Sequence, residues 1–185
     1  GLSSGIGAIA TGGRHACAVD ILGGMKCWGR NGYGELGDNT LGGRFTPAEN
    51  VGMPDPVAAI TAGEYWACAL TTAGVVKCWG ANDLGQLGDN TTTDRPLPVN
   101  VVNLGAGATA VSAGAAHACA LTAAGGVACW GSNSSGQLAQ SSTPSAAAMS
   151  RPPKLVRLRQ CRLSGSSSSS GTRLMTASVM LRPAN

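Results

Sequence analysis

The pattern Cys-x9-Cys-Trp-Gly occurs three times in this chain, and successive copies lie 51 residues apart. The pairs are Cys17 and Cys27, Cys68 and Cys78, and Cys119 and Cys129. So strict a phase means that one supersecondary unit has been copied. A unit of this size cannot bury its apolar face alone, so the copies must stack on one another. That restricts the chain to an array or a propeller, architectures that work mostly by binding.

Other positions keep the same register. Gly12, Gly63 and Gly114 align, as do Ala16, Ala67 and Ala118. Gly34, Gly85 and Gly136 align, each followed two residues later by Leu36, Leu87 or Leu138. Each unit reads as short strands separated by turn residues. In the second unit the strands are expected at residues 59–62, 66–70, 75–79 and 97–102. Residues 82–93 form a loop rich in Gly, Asn and Asp, and Pro96 and Pro98 put the last strand at an outer edge. Four strands in about 50 residues match one propeller blade. The expected class is all-β, in blades of four antiparallel strands, with the repeated Leu plugging the core.

These motifs resemble the regulator-of-chromosome-condensation repeat family. The resemblance rests on His-Ala-Cys-Ala-Leu around Cys119, Lys-Cys-Trp-Gly-Ala-Asn from Lys77 and Gly-Gln-Leu-Gly-Asp from Gly85. It spans residues 6–138. It implies a β-propeller of about seven blades, of which about three are present, so a fragment of a longer chain is expected. The units fall at about 1–58, 59–109 and an incomplete 110–138. The remaining blades of the same propeller are then expected partners.

Beyond residue 138 the pattern fails. Ser170 and Met180 stand where a fourth pair of cysteines is due. The first 138 residues carry six basic and nine acidic side chains, whereas residues 139–185 carry seven basic and none acidic. This Ser-, Arg- and Pro-rich tail has no aromatic residue and cannot bury a core. It is expected to be disordered, or the product of a shifted reading frame; a basic arm for nucleic acid is the less favoured reading. No apolar run reaches the roughly 18 residues that span a bilayer.

Each cysteine pair flanks a turn, and an antiparallel hairpin folded about it sets the two opposite each other. That spacing suits a disulfide worth about 2.5–3 kcal/mol. Disulfides persist outside the reducing cytosol, which points to an extracellular, cell-surface or periplasmic setting. Reduced buried cysteines remain the alternative, and with them a cytoplasmic or nuclear location. A metal site on His15 or His117 fails on spacing, and Trp66 occupies the equivalent place in the second unit. His15, Trp66 and His117 are expected to be packed, hydrogen-bonded strand-start residues. Cys161 has no partner in the repeats.

No catalytic, cofactor or metal constellation stands out. The Asp38 and Asp89 loops lack the alternating carboxylates of a calcium loop, and their side chains are expected to bond turn amides. Trp28, Trp79 and Trp130 recur in every unit and are expected in the core. Positions that differ between units are freer to serve a partner. These include Arg14, Arg30, Tyr33, Glu64 and Tyr65, in loops that gather at the ends of a propeller. The expected function is a non-catalytic scaffold that binds another protein, secreted or at the cell surface. The resemblance implies two alternatives: nucleotide exchange on a small GTPase, or inhibition of an enzyme by docking one face on it.

Overall fold

The computed structural model describes residues 2, 4–50 and 52–139. Residues 140–185, with the expectations for the tail and for Cys161, lie outside the described residues. Eleven strands form three antiparallel sheets among the described residues. The first contains β1 (Ile6–Thr11), β2 (His15–Asp20), β3 (Met25–Gly29) and β4 (Arg44–Glu49), paired in that order. The second contains β5 (Val57–Ala62), β6 (Trp66–Thr71), β7 (Val76–Gly80) and β8 (Arg95–Asn100). The third holds β9 (Ala108–Ala113), β10 (His117–Thr122) and β11 (Val127–Gly131). These are the all-β propeller blades read from the sequence. The fourth strand starts at Arg95 rather than Leu97, because Gly80 pairs with Arg95 and Asp89 holds the Arg95 guanidinium.

Period-two alternation gives each blade two different faces. In blade 1 the forward face carries Cys17, Val19, Met25, Cys27 and Leu36. It packs on Ala67, Ala69 and Trp79 of blade 2. Blade 2 repeats the arrangement: Cys68, Leu70, Val76, Cys78 and Leu87 pack on Ala118, Ala120 and Trp130 of blade 3. Small alanines on the backward face let the next sheet approach, and the tryptophan fills the remaining volume. Leu36 and Leu87 are buried at these junctions.

Each junction is also pinned by an indole. Trp79 Nε1 donates to the Glu35 carbonyl at 2.8 Å, and Trp130 Nε1 donates to the Gln86 carbonyl at 2.9 Å. The ring edge lies over Gly37 or Gly88, where an added Cβ would come within about 3.0 Å of the indole. Both glycines also have left-handed backbone, at φ 65° and 66°. Trp28 departs from the expectation of a core tryptophan. It is only partly buried, because no described sheet packs on the backward face of blade 1.

Cys17 lies directly opposite Cys27, Cys68 opposite Cys78, and Cys119 opposite Cys129. The sulfurs of each pair are at disulfide-bonding distance, with Cα atoms 4.0 to 4.1 Å apart. The first two pairs are sealed between blades. The third lies on the forward face of blade 3 and is partly exposed.

The Asp loops form a structural lock. Asp89 Oδ1 accepts from Asn82 Nδ2, Thr91 N and Thr91 Oγ1, while Oδ2 accepts from Arg95 Nε at 2.8 Å. Asp38 makes the same four contacts with Asn31, Thr40 and Arg44. Burial raises both carboxyls, but the hydrogen bonds outweigh it and hold them below the ordinary range. Asp89→Ala is expected to cost about 2–3 kcal/mol, because it takes the acceptor from Thr91 N and Thr91 Oγ1 and the counter-charge from Arg95. Chemical denaturation monitored by tryptophan fluorescence measures it; an unchanged midpoint would refute the lock.

Candidate functional site

Residues that break the repeat converge at one junction. The Asn31 side chain closes the loop after β3: its Oδ1 accepts from Leu36 N and its Nδ2 donates to the Thr40 carbonyl. That closure presents Tyr33 at the loop tip. On the neighbouring turn, Arg30 N donates to the Arg14 carbonyl at 2.9 Å, and Gly13 N donates to the Glu64 carbonyl at 3.1 Å. The turn carrying Glu64 and Tyr65 is therefore drawn against the turn carrying Arg14.

Arg30 lies beside two tyrosines contributed by different blades. Its Cζ is 5.3 Å from the Tyr33 ring centroid and 5.0 Å from that of Tyr65. The rings are 5.6 Å apart and inclined at 54°. The quadrupole of each ring attracts the guanidinium, worth about 0.5–1 kcal/mol at an exposed site. Of the five variable residues singled out in the sequence, Arg30, Tyr33 and Tyr65 form this cluster. Arg14 and Glu64 flank it on exposed turns and join no ion pair among the described residues.

Sequence reasoning missed Glu35. Its side chain is fully buried, and its Oε2 accepts from Tyr33 N at 2.8 Å. Its Oε1 lies 3.8 Å from Arg30 Nε and has no hydrogen-bond partner. The signal was available: unit 1 reads Gly-Glu-Leu-Gly, whereas unit 2 has Gln86 and unit 3 has Gln137. Those glutamines accept equivalent backbone bonds, from Leu84 N and Ser135 N. The Glu occurs only where an Arg follows the Trp-Gly; units 2 and 3 have Ala81 and Ser132 there. One residue thus joins the core to the surface, since its carbonyl holds Trp79 and its carboxylate faces Arg30.

Of the three strand-start residues, His15 departs from the expected hydrogen-bonded state, whereas Trp66 meets it. Trp66 Nε1 reaches across the junction to the Ala115 carbonyl at 2.7 Å. His15 is just as enclosed, but its Nε2 is buried without a partner. Burial pushes its pKa down to about 4. Among the described residues no group of three His, Cys, Asp or Glu side chains is arranged to hold a metal. At the opposite end of blade 1, Ile21 and Leu22 stand exposed on a hairpin tip beside a shallow groove of about 300 Å³.

Comparison with known proteins identifies the repeats. The family described as "Regulator of chromosome condensation (RCC1) repeat" matches residues 8–35, 57–86 and 108–137, and a second profile of the same description matches residues 74–121. The chain is 38% identical over 146 residues to an RCC1 domain-containing protein of Arabidopsis thaliana, RUG3, described as mitochondrial. That match covers 74% of the chain and 33% of the relative. It is 33% identical over 138 residues to a human probable E3 ubiquitin-protein ligase, HERC4, covering 73% of the chain and 13% of the ligase. The chain thus spans a minor part of both relatives. Yeast RCC1 (Prp20), in a crystal structure bound to Kap60, superposes with a TM-score of 0.60 at 25% identity. That match covers 70% of the chain and 32% of the yeast protein. Human WBSCR16 superposes with a TM-score of 0.66 at 20% identity over 71% of the chain and 34% of its own, which speaks to fold alone.

Proposed function

The chain belongs to the regulator of chromosome condensation (RCC1) repeat family, and from that premise we propose that it acts as a non-catalytic propeller scaffold that binds another protein through the surface around Arg30. The observation that carries this reading is the convergence of Arg30, Tyr33 and Tyr65 from two blades. Arg and Tyr are favoured anchors of protein interfaces, and the ordered ring pair spares part of the entropy of binding. Asp38 and Asp89 are occupied by loop hydrogen bonds, which leaves them poor general acids or bases.

A double variant, Arg30→Ala with Tyr65→Ala, is expected to weaken partner binding at least about thirtyfold, the scale of a central anchor. The test is affinity capture with the full chain, then titration of the recovered partner against both proteins. Equal affinities would reject this surface.

We further propose that the six repeat cysteines are oxidised in their three pairs and that the protein works at the cell surface, outside the cell or in the periplasm. Mass measurement of alkylated native protein tests this. Six free thiols in the repeats would sink it and turn attention to cytosol, nucleus or an organelle such as that of the mitochondrial relative. Nucleotide exchange on a small GTPase is the second reading, motivated by the 25% identity to yeast RCC1. Release of labelled GDP from a panel of small GTPases would favour it.

A further inference from the structure

We propose that the Arg30 site takes a carboxylate side chain of the protein partner, so that the partner's contact segment is acidic; this deepens, and rests on, the scaffold reading above. A guanidinium carries five N–H donors. The Arg30 guanidinium donates no hydrogen bond to any described residue, and its one ion-pair contact is Glu35 at 3.8 Å, too long for a hydrogen bond. The three distances put both rings on one side of the group, and the Arg30 side chain is 37% exposed, which leaves an edge open for in-plane contacts. That edge matches the two oxygens of a carboxylate, which a guanidinium binds through parallel N–H···O bonds.

Glu35 explains how a cation is kept here with its donors unspent. It is fully buried, so a partner does not reach it, and it compensates the charge of Arg30 from beside it. Its Oε1 accepts no hydrogen bond, so the pair is balanced in charge but open in hydrogen bonding. Arg14 adds a second exposed cation on the adjoining turn, its carbonyl bonded to Arg30 N. Glu64 is the exposed acid of the same junction, beside Gly13, and sets a repulsive limit on the blade 2 side. Blades 2 and 3 cannot reproduce the site, because Ala81 and Ser132 replace Arg30, and Leu84 and Ser135 replace Tyr33.

The test is an NMR titration of the full chain, read at the Arg30 Nε–H resonance and, so that Arg30→Lys is measured on the same footing, at the backbone amide of Tyr33. The probes are a soluble peptide, Gly-Glu-Glu-Tyr-Glu-Gly, and its counterpart with Gln for every Glu. The acidic peptide is expected to move the resonance and bind at least about tenfold tighter than the neutral one. Arg30→Lys, which keeps the charge but loses the fork, is expected to lose about tenfold. Glu35→Gln restores the residue found in the other two units and removes a negative charge near the ligand; it is expected to tighten binding about threefold. Near-ultraviolet circular dichroism checks that both variants keep the fold. Equal binding of the two peptides would overturn the acidic chemistry while leaving the loop surface a binding face. No shift with either peptide also overturns it, and the partner capture described above then judges the scaffold reading separately. Full affinity in Arg30→Lys, or weaker binding in Glu35→Gln, would likewise refute it.

Discussion

Trp79→Ala is expected to lower the unfolding free energy by about 3–5 kcal/mol, enough to leave a marginally stable domain largely unfolded. Trp79 is fully buried between blades 1 and 2, among Cys17, Leu36 and Ala67. Removing its ring opens a cavity at the junction, and Ala67 and Ala69 are too small to fill it. The Glu35 carbonyl also loses the indole bond of 2.8 Å. Trp79→Phe separates these effects, since it keeps a ring and loses the donor; its expected cost is about 1–3 kcal/mol. Urea unfolding followed by circular dichroism measures both. A midpoint for Trp79→Ala close to wild type would mean that the blades do not depend on one another as packed.

Acid is expected to remove about 3 kcal/mol between pH 6.5 and pH 4 through His15 alone. The sign follows from burial. The folded imidazole is held neutral, with its pKa lowered to about 4, while the unfolded one titrates near 6.5. Below pH 6.5 the unfolded chain therefore binds more protons, and folding stability falls with pH. The loss is complete near pH 4, below which both states are protonated. The carboxyls of Asp38 and Asp89 are depressed instead, so their contribution is lost only below the ordinary carboxylate range. Equilibrium unfolding at a series of pH values reveals the first window. His15→Gln, which does not titrate, should flatten it; an equally steep decline in that variant would assign the effect elsewhere.

Much of the blade was legible in the residues. Strand positions follow from small and apolar side chains alternating around each cysteine, and turns from Gly at fixed offsets. The Cys17–Cys27 opposition follows from hairpin arithmetic, because an antiparallel ladder pairs residues equidistant from its turn. The start of the fourth strand was less legible. Pro96 and Pro98 mark an edge, but Arg95 is drawn into the strand by Asp89, a side-chain contact that propensity does not register. Trp28 was misplaced because the repeat assigns every tryptophan the same role, whereas burial depends on what packs against its particular blade. His15 was misjudged for a related reason. An imidazole is shorter than the indole of Trp66, which reaches the Ala115 carbonyl, and at its own junction the buried Nε2 finds no acceptor.

The candidate site divides in the same way. Comparing the units marked Arg30, Tyr33 and Tyr65 as free of the framework, and that marking needed no coordinates. The Glu at position 35 was visible as a departure from Gln, yet its meaning was not, because a side chain's counter-charge is a matter of proximity.

By itself the sequence determined the repeating unit, its strand order, and the two faces on which blades stack. Those depend on local periodicities, which a linear chain records directly. Only the tertiary structure decided that Tyr33 of one blade and Tyr65 of the next lie against the same guanidinium, and that Glu35 lies buried beside it. Such contacts depend on how far and at what angle one sheet sits from another. Side-chain volumes at the junction set that distance, and no period in the sequence encodes it.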